Sequence, residues 1–299
     1  MKIRIASSDP LSTFYTQAGL LADLLKKSGV IEAAEVLPTT GSVINAEMTA
    51  RGETALGFMA SNWVPRAVSG SDPFTSPVDV SIITPLNAGP LFFVAPASSQ
   101  LTSVRELKGK PIAVGHANSG MAQHANNIVR GFGWQGDDVQ FSHISTFDGG
   151  TALIDGSVAA QLSAPIPSTH FDDLQARLDI KVLDFDPADI AMLCKAHPFY
   201  SAAIVPAEGV RGLKADMPAL GVLNVIVAAG HADDDFVFDV VRSYINGAKE
   251  LERANALFRG LPAILARART DGVAALAPGG APFHPAAARA FREAGLLAD

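Results

Sequence analysis

The sequence predicts a two-lobe α/β fold, each lobe a mixed, mainly parallel sheet flanked by helices, with a ligand cleft between the lobes. Three observations carry this. Strand-like and helix-like segments alternate from the first residues, the rhythm of βα units on a parallel sheet. The rhythm restarts after residue 103. No linker, repeat or low-complexity run separates the two stretches; domains joined by crossing strands rather than a tether make a hinge with a cleft.

In order, Ile3–Ala6 reads as a strand and Phe14–Lys27 as an amphipathic helix, with Leu20, Leu21, Leu24 and Leu25 at helical spacing. Ser28-Gly29 ends it. Strands follow at Ala34–Leu37 and Ala55–Met59, with a helix at Ser42–Arg51 between them, and Pro65 suits the first turn of the next helix. Ser81–Thr84 and Leu91–Ala95 are two further strands. Ser103-Val104-Arg105-Glu106 is a capping box opening a short helix that Gly109-Lys110 ends. Then come a strand at Pro111–Gly115, a polar loop at His116–Ser119 and a helix at Gly120–Phe132. The strand Val139–Ile144, helix Thr151–Asp155 and strand Val158–Ser163 follow, the last running into Ala164-Pro165-Ile166-Pro167. A helix at Thr169–Arg177 and a strand at Lys181–Asp184 close the stretch. Later, Val222–Ala228 is an apolar strand, Asp233–Phe258 a long helix and Ala286–Leu297 a final one. The expected division is residues 1–87 and 221–299 as lobe one and 88–220 as lobe two, crossing near Leu91–Ala95 and Val222–Ala228.

Composition narrows the function. The 299 residues carry a net charge of −7, with 48% hydrophobic and 18% charged residues, which excludes disordered, collagen-like and coiled-coil classes. The acidic balance argues against nucleic-acid binding, which needs a basic face. A single cysteine, Cys194, excludes an intrachain disulfide, a CxxC zinc site and an iron–sulfur cluster. The most apolar stretches, Leu91–Ala97 and Val222–Ala229, are far shorter than the roughly 20 residues a membrane span needs. Met1–Ala6 reads as a strand rather than a signal peptide. A periplasmic protein with a trimmed leader is expected, or a cytoplasmic one if the chain is native as given.

No nucleophile elbow, P-loop, GxGxxG turn or HExxH motif occurs. His116 and His124 alone are close enough in sequence to share an element, and Cys194 has no base beside it in sequence. No catalytic residue, metal site or cofactor is therefore expected. Asp137-Asp138 and Asp233-Asp234-Asp235 sit at helix starts, where they complement the dipole. What remains are polar or small residues after strand ends, at helix N-termini: Thr13, Phe14 and Tyr15; Gly41 and Ser42; Ser61, Asn62 and Trp63; Asn118, Ser119 and Gly120. Pro165 joins them at a further strand end. In open α/β sheets that edge is where ligands bind, and free N–H groups there suit an anion such as a carboxylate. These loops hold no Arg or Lys, so hydroxyls, amides and helix N–H groups are expected to hold the carboxylate; the arginine to watch is Arg66. Phe14, Tyr15 and Trp63 would stack on or pack against the solute.

Thr40-Gly41-Ser42-Val43 with Ala50–Phe58, and Ser103–Gly115, resemble segments of type II periplasmic-binding-protein folds. His197-Pro198-Phe199-Tyr200 and Pro282–Arg289 resemble elements of the TAXI family, the solute receptors of tripartite ATP-independent (TRAP) transporters. The first loop, Ser7–Tyr15, departs from that family's glycine-rich pattern. The resemblance implies a periplasmic, monomeric receptor that closes on a small carboxylate or amino acid and presents it to the permease subunits of a TRAP transporter, with no cofactor. Two other readings stay open: an enzyme on the same scaffold, such as a decarboxylase or isomerase using His116, His170 and Asp148, or a cytoplasmic ligand-sensing module.

Overall fold

The structure, a computed structural model, describes every residue except Leu11, Asn118, Ala164, Pro165, Pro167 and Asp299, and only the backbone of Thr169. The expected ligand contacts at Asn118 and Pro165 thus lie outside the described residues. The chain forms two compact units, Met1–Ala88 with Leu223–Asp299, and Gly89–Val222. It opens with β1 (Lys2–Ala6), α1 (Thr13–Lys27), β2 (Ala33–Leu37), α2 (Ser42–Ala50), β3 (Leu56–Ala60), α3 (Val64–Ser69) and β4 (Val80–Pro96). Next are β5 (Pro111–Ala113), α4 (Gly120–Gly131), β6 (Gln140–Ser142), α5 (Thr146–Asp155) and β7 (Ala160–Ser163). Then α6 (Thr169–Arg177), β8 (Ile180–Val182), α7 (Pro187–Ala196) and β9 (Tyr200–Val205) lead to β10 (Met217–Ala229). The chain ends with α8 (Asp234–Ala254), α9 (Leu261–Ala266), α10 (Ala268–Asp271) and α11 (Pro285–Glu293). It leaves the first unit within β4 and returns within β10.

In the first unit the strand order is β2-β1-β3-β10-β4, with β1 parallel to β2 and β3, and β10 antiparallel to β3. Alternation along the strands divides the core between two faces. Phe58 and Ile226 pack with Leu21 of α1, Tyr244 of α8 and Phe291 of α11. Met59, Val225 and Val227 pack with Ala46 of α2 and Val64 of α3. The α2 backbone comes so near β3 that a β-carbon at Gly57 would lie 2.6 Å from Thr49 Oγ1. That approach fixes where the first turn of α2 meets the strand ends. The segment before α11 is stitched to β4: Phe283 forms a parallel bridge with Ile82, and His284 N donates to Ile82 O (2.9 Å). His284 Nδ1 then caps α11 by accepting from Ala286 N (3.3 Å).

In the second unit β5 is parallel to β6 and β7, while β4 is antiparallel to β7 and β8, and β9 to the first half of β10. The Glu106 carboxylate accepts from the N–H groups of Thr102 (2.6 Å) and Ser103 (3.2 Å), the capping arrangement the sequence predicts. Arg105 forms a two-pronged pair with Asp189 of α7 (2.9 and 2.6 Å), its guanidinium 4.1 Å from the Phe132 ring centre. On α4, His124 is buried, its Nδ1 2.8 Å from Tyr200 Oη, and Asn127 Nδ2 donates to the same oxygen (3.2 Å). His197–Tyr200 and Pro282–Arg289, the segments carrying the family resemblance, therefore include residues that bind elements together: Tyr200, Phe283 and His284.

Several elements differ from the sequence expectation. Ser81–Thr84 and Leu91–Ala95 are one strand, β4, because the segment between them stays extended and almost wholly buried despite Pro85 and Pro90. Instead of spanning Thr151–Asp155, α5 starts at Thr146: Ser145 Oγ caps it by accepting from Asp148 N (3.0 Å). The Gly149-Gly150 pair, poor helix formers, is retained there by packing, since a β-carbon at Gly149 would meet Ala113 Cβ at 3.0 Å and Gln161 Nε2 at 3.1 Å. The strand β9 had no sequence assignment. The long helix stops at Ala254, where Asn255 Oδ1 caps a short turn at Ala256–Phe258, and the last helix ends before Gly295, whose φ is 65°.

Candidate functional site

The carboxyl ends of β1, β2 and β3 meet at one edge of the first unit, and Asn45 of α2 holds them together. Asn45 is fully buried; its Nδ2 donates to Ser7 O and Phe58 O (2.6 Å each), and its Oδ1 accepts from Thr39 Oγ1 (2.6 Å). Ser7 adds its N–H and Oγ, both donating to Leu37 O (3.2 and 2.9 Å). Ser42 Oγ accepts from Ala60 N (3.1 Å), leaving its own proton to donate outward. Gly41, at the N-cap of α2, has φ 111°, a conformation that favours glycine.

These starts lack the usual caps. In α1 the N-cap Ser12 makes no capping bond, its hydroxyl pairing instead with Ser8 Oγ. Gly41 has no side chain to cap α2, and the turn Ser61–Trp63 leading into α3 has no side-chain cap either. The second unit is built differently: Ser119, Ser145, Ser168 and Asp186 all cap their helices. Uncapped first-turn N–H groups at the positive end of a helix dipole form an anion-binding surface. Beside them, Ser61 Oγ and Asn62 Oδ1 are buried without a hydrogen-bond partner. A buried polar atom left unpaired costs about 1–3 kcal/mol, so such atoms mark places where a ligand group completes the bonding.

The other expected contacts fall as follows. Thr13 and Tyr15 are half-buried on the first turn of α1. Phe14 packs edge-to-face on Phe58, with ring centres 5.8 Å apart. Trp63 is 6% exposed and belongs to the core around Met59 and Val64. Two of the three aromatics are thus taken up by packing. The Arg66 guanidinium lies over the Trp63 ring and donates to Asp72 O (3.2 Å). In the second unit, Gly120 is the first residue of α4 and Ser119 serves as its cap, the oxygen accepting from Ala122 N (3.1 Å).

The three groups weighed as an acid–base set do not form a unit. His116 is exposed, Asp148 accepts from Ser145 Oγ (2.6 Å), and half-buried His170 lies beside Gln161. Burial lowers the pKa of His170 and drives that of His124 down to about 3, the nearby His197 adding to the second shift. Among the described residues there is no group of three or more His, Cys, Asp or Glu able to hold a metal, and no helix is long and apolar enough to cross a membrane.

Asn45 and Gln161 escape sequence reasoning. The usable signal for each is a polar amide inside an apolar element: Asn45 within the apolar run of α2, Gln161 in a strand of small and apolar residues. A hollow of about 780 Å³ opens at the opposite, amino-terminal edge of the first unit's sheet, lined by Lys2, Arg4, Glu35, Glu53 and Phe236 among others. It offers charged side chains of both signs rather than converging helix starts.

Solved structures share the fold. The periplasmic sulfonate-binding protein SsuA of Methylobacillus flagellatus, a sulfonate ABC transporter protein, is 18% identical, with a TM-score of 0.58 over 99% of this chain and 95% of that one. PhnD1 of Prochlorococcus marinus, in complex with methylphosphonate, is 10% identical, with a TM-score of 0.57 over 86% of this chain and 89% of that one. The alkanesulfonate-binding protein SsuA of Xanthomonas axonopodis pv. citri, bound to MOPS, is 17% identical, with a TM-score of 0.51 over 100% and 94% of the two chains. The fold is thus the two-lobe α/β type of periplasmic binding proteins, and the match to the family's pattern runs over residues 5–295: the chain belongs to the NMT1-like family.

Proposed function

We propose that this protein is a periplasmic solute receptor that binds a small organic anion and presents it to membrane permease subunits. One observation carries the reading: three helix starts without side-chain caps converge on the edge where Ser61 Oγ and Asn62 Oδ1 are buried and unpaired. Neutral donors hold the oxyanion there, since Ser7–Thr16, Pro38–Asn45 and Ala60–Trp63 contain no Arg or Lys. Thr13, Tyr15, Gly41, Ser42, Ser61 and Asn62 are the proposed contacts. Helix N-termini accept any oxyanion, so sulfonates and phosphonates, the ligands named for the structural relatives, join carboxylates and amino acids as solute classes. The permease is of the TRAP type, supported by the resemblance of His197–Tyr200 and Pro282–Arg289 to TAXI receptors. An ABC-type permease is the second reading, favoured by the Methylobacillus relative, and the ATP dependence of solute uptake separates the two.

A thermal-unfolding screen of carboxylates, amino acids, sulfonates and phosphonates tests the reading. At a hundredfold excess over Kd a true solute stabilises the folded state by about 2.7 kcal/mol, a rise of several degrees. At least one class is expected to give it, and the rise should shrink in Ser42→Ala. A flat response across all four classes contradicts the reading.

A further inference from the structure

The hollow at the amino-terminal edge of the first unit's sheet is lined by that unit alone, and its volume of about 780 Å³ falls in the range of small-molecule sites. Along β1, Lys2 and Arg4 alternate with the core residues Ile3 and Ile5, so their exposed side chains share the other face of the sheet. On β2, Ala34 and Val36 pack toward the same core, which leaves exposed Glu35 on the face of Lys2 and Arg4. Parallel pairing sets Glu35 beside Arg4, and Ala33 beside Lys2. Opposite charges so placed stabilise a sheet when they pair, yet among the described residues Lys2, Arg4 and Glu35 form no ion pair and no side-chain hydrogen bond. The other charged side chains of the lining are engaged. Glu53 accepts from Arg51 Nε (2.6 Å), with Arg4 only a lesser influence on it. Asp233 Oδ1 accepts from Phe236 N (2.8 Å), and His231 Nδ1 lies 2.8 Å from Asp79 Oδ2. Ala33, Ala55, Ala229 and Ala232, with the partly buried Phe236, add apolar surface.

We infer that this hollow is a second binding site, for a short zwitterionic peptide. Glu35 takes the peptide's ammonium group, Lys2 its carboxylate, and Arg4 donates to the peptide carbonyl between them. An apolar side chain of the peptide rests on Phe236 and the alanines. Length follows from the strands. Lys2 and Glu35 are two residues apart along the sheet and one strand apart across it, which sets their α-carbons about 8 Å from each other. An extended chain advances about 3.3–3.6 Å per residue, so two or three residues span the gap. A plain organic anion meets only half of this charge pattern, and Glu35 repels it. The site is therefore separate from the solute edge and does not depend on it.

The test follows backbone amide shifts while alanyl-leucine, its N-acetyl form and its C-terminal amide are each titrated into the wild type, Glu35→Gln, Lys2→Gln and Ser42→Ala. The two charged positions are exposed, so their variants keep the fold. In the wild type the free dipeptide is expected to shift the amides of Lys2–Arg4, Glu35 and Phe236. Acetylation and amidation should each weaken binding about fivefold, the upper end of what an exposed ion pair contributes. Glu35→Gln should abolish the cost of acetylation and keep that of amidation, and Lys2→Gln should do the reverse. Ser42→Ala, which alters the solute edge, should leave dipeptide affinity unchanged. Three results would overturn the inference: no shifts at the hollow, penalties that persist in both charge variants, or dipeptide binding that is lost in Ser42→Ala. None of them bears on the receptor reading, which the anion screen tests by itself.

Discussion

Replacing Asn45 by alanine is expected to destabilise the protein by about 3–5 kcal/mol, out of the roughly 5–15 kcal/mol that holds a typical domain folded. Asn45 is fully buried and its amide serves three segments at once: Ser7 O, Phe58 O and Thr39 Oγ1. Alanine is the better helix former by several tenths of a kcal/mol, but it leaves two buried carbonyls without their Asn45 donor. Asn45→Asp should be no better, since a carboxylate supplies no donor to either carbonyl. The same substitution frees the loops that follow β1 and β2 from the end of β3. Affinity for any anion found by the thermal screen should therefore drop at least tenfold even where the variant stays folded. Urea unfolding and calorimetry read the two effects. A loss of less than about 1 kcal/mol with unchanged affinity would show that the strand ends hold their places without this side chain.

A second large effect is a loss of stability in mild acid, traceable to His124. The ring is buried on α4, and Tyr200 Oη accepts from Asn127 Nδ2 and spends its own proton on His124 Nδ1. Burial raises the pKa of Tyr200, so the hydroxyl keeps that proton. His124 is consequently neutral in the folded chain, with its pKa pushed down to about 3 from 6.5. Above about pH 6.5 the folded and unfolded states are both neutral at this position, and stability is full. As pH falls below 6.5 the unfolded chain takes up a proton that the folded chain refuses. Stability then drops by up to about 1.4 kcal/mol per pH unit, or about 2–3 kcal/mol between pH 6.5 and 4.5. His170, His197 and His284, whose pKa values are also lowered chiefly by burial, act in the same direction. The difference between wild type and His124→Asn, which keeps an acceptor for Tyr200, isolates the one residue: the variant's urea midpoint should vary less with pH by that amount. Parallel pH profiles for the two proteins would mean that His124 is solvated when folded.

Local signals were enough wherever a short-range rule decides the structure. The Ser103–Glu106 capping box, Pro65 in the first turn of α3 and the leucine spacing of α1 are all readable in a window of a few residues. They fail where a distant partner decides. The helix α5 runs through Gly149-Gly150 because Ala113 and Gln161 leave no room for a β-carbon at 149. Likewise β4 passes two prolines because its whole length is buried, and β9 exists as the partner of β10. The site divides in the same way. That polar residues gather at strand ends is visible in sequence, because N-terminal capping chemistry is local. Which of those helix starts remain uncapped is not, because Ser12 turns to Ser8 while Ser119 caps its own helix. Trp63 reads equally as a stacking surface or as core, and only its packing against Met59 and Val64 assigns it to the core.

The central claim is that the first-turn N–H groups of α1 and α2, with Ser61 and Asn62, bind the solute's oxyanion. Backbone amide shifts in NMR, followed while titrating the anion that gives the largest thermal shift, test it directly. A hydrogen bond to an oxyanion moves an amide proton downfield. The account predicts the largest downfield changes at Thr13–Tyr15, Ser42–Val43 and Ser61–Asn62. Changes that spare these residues and gather instead around Lys2, Arg4, Glu53 and Phe236, at the opposite edge of the sheet, would contradict it.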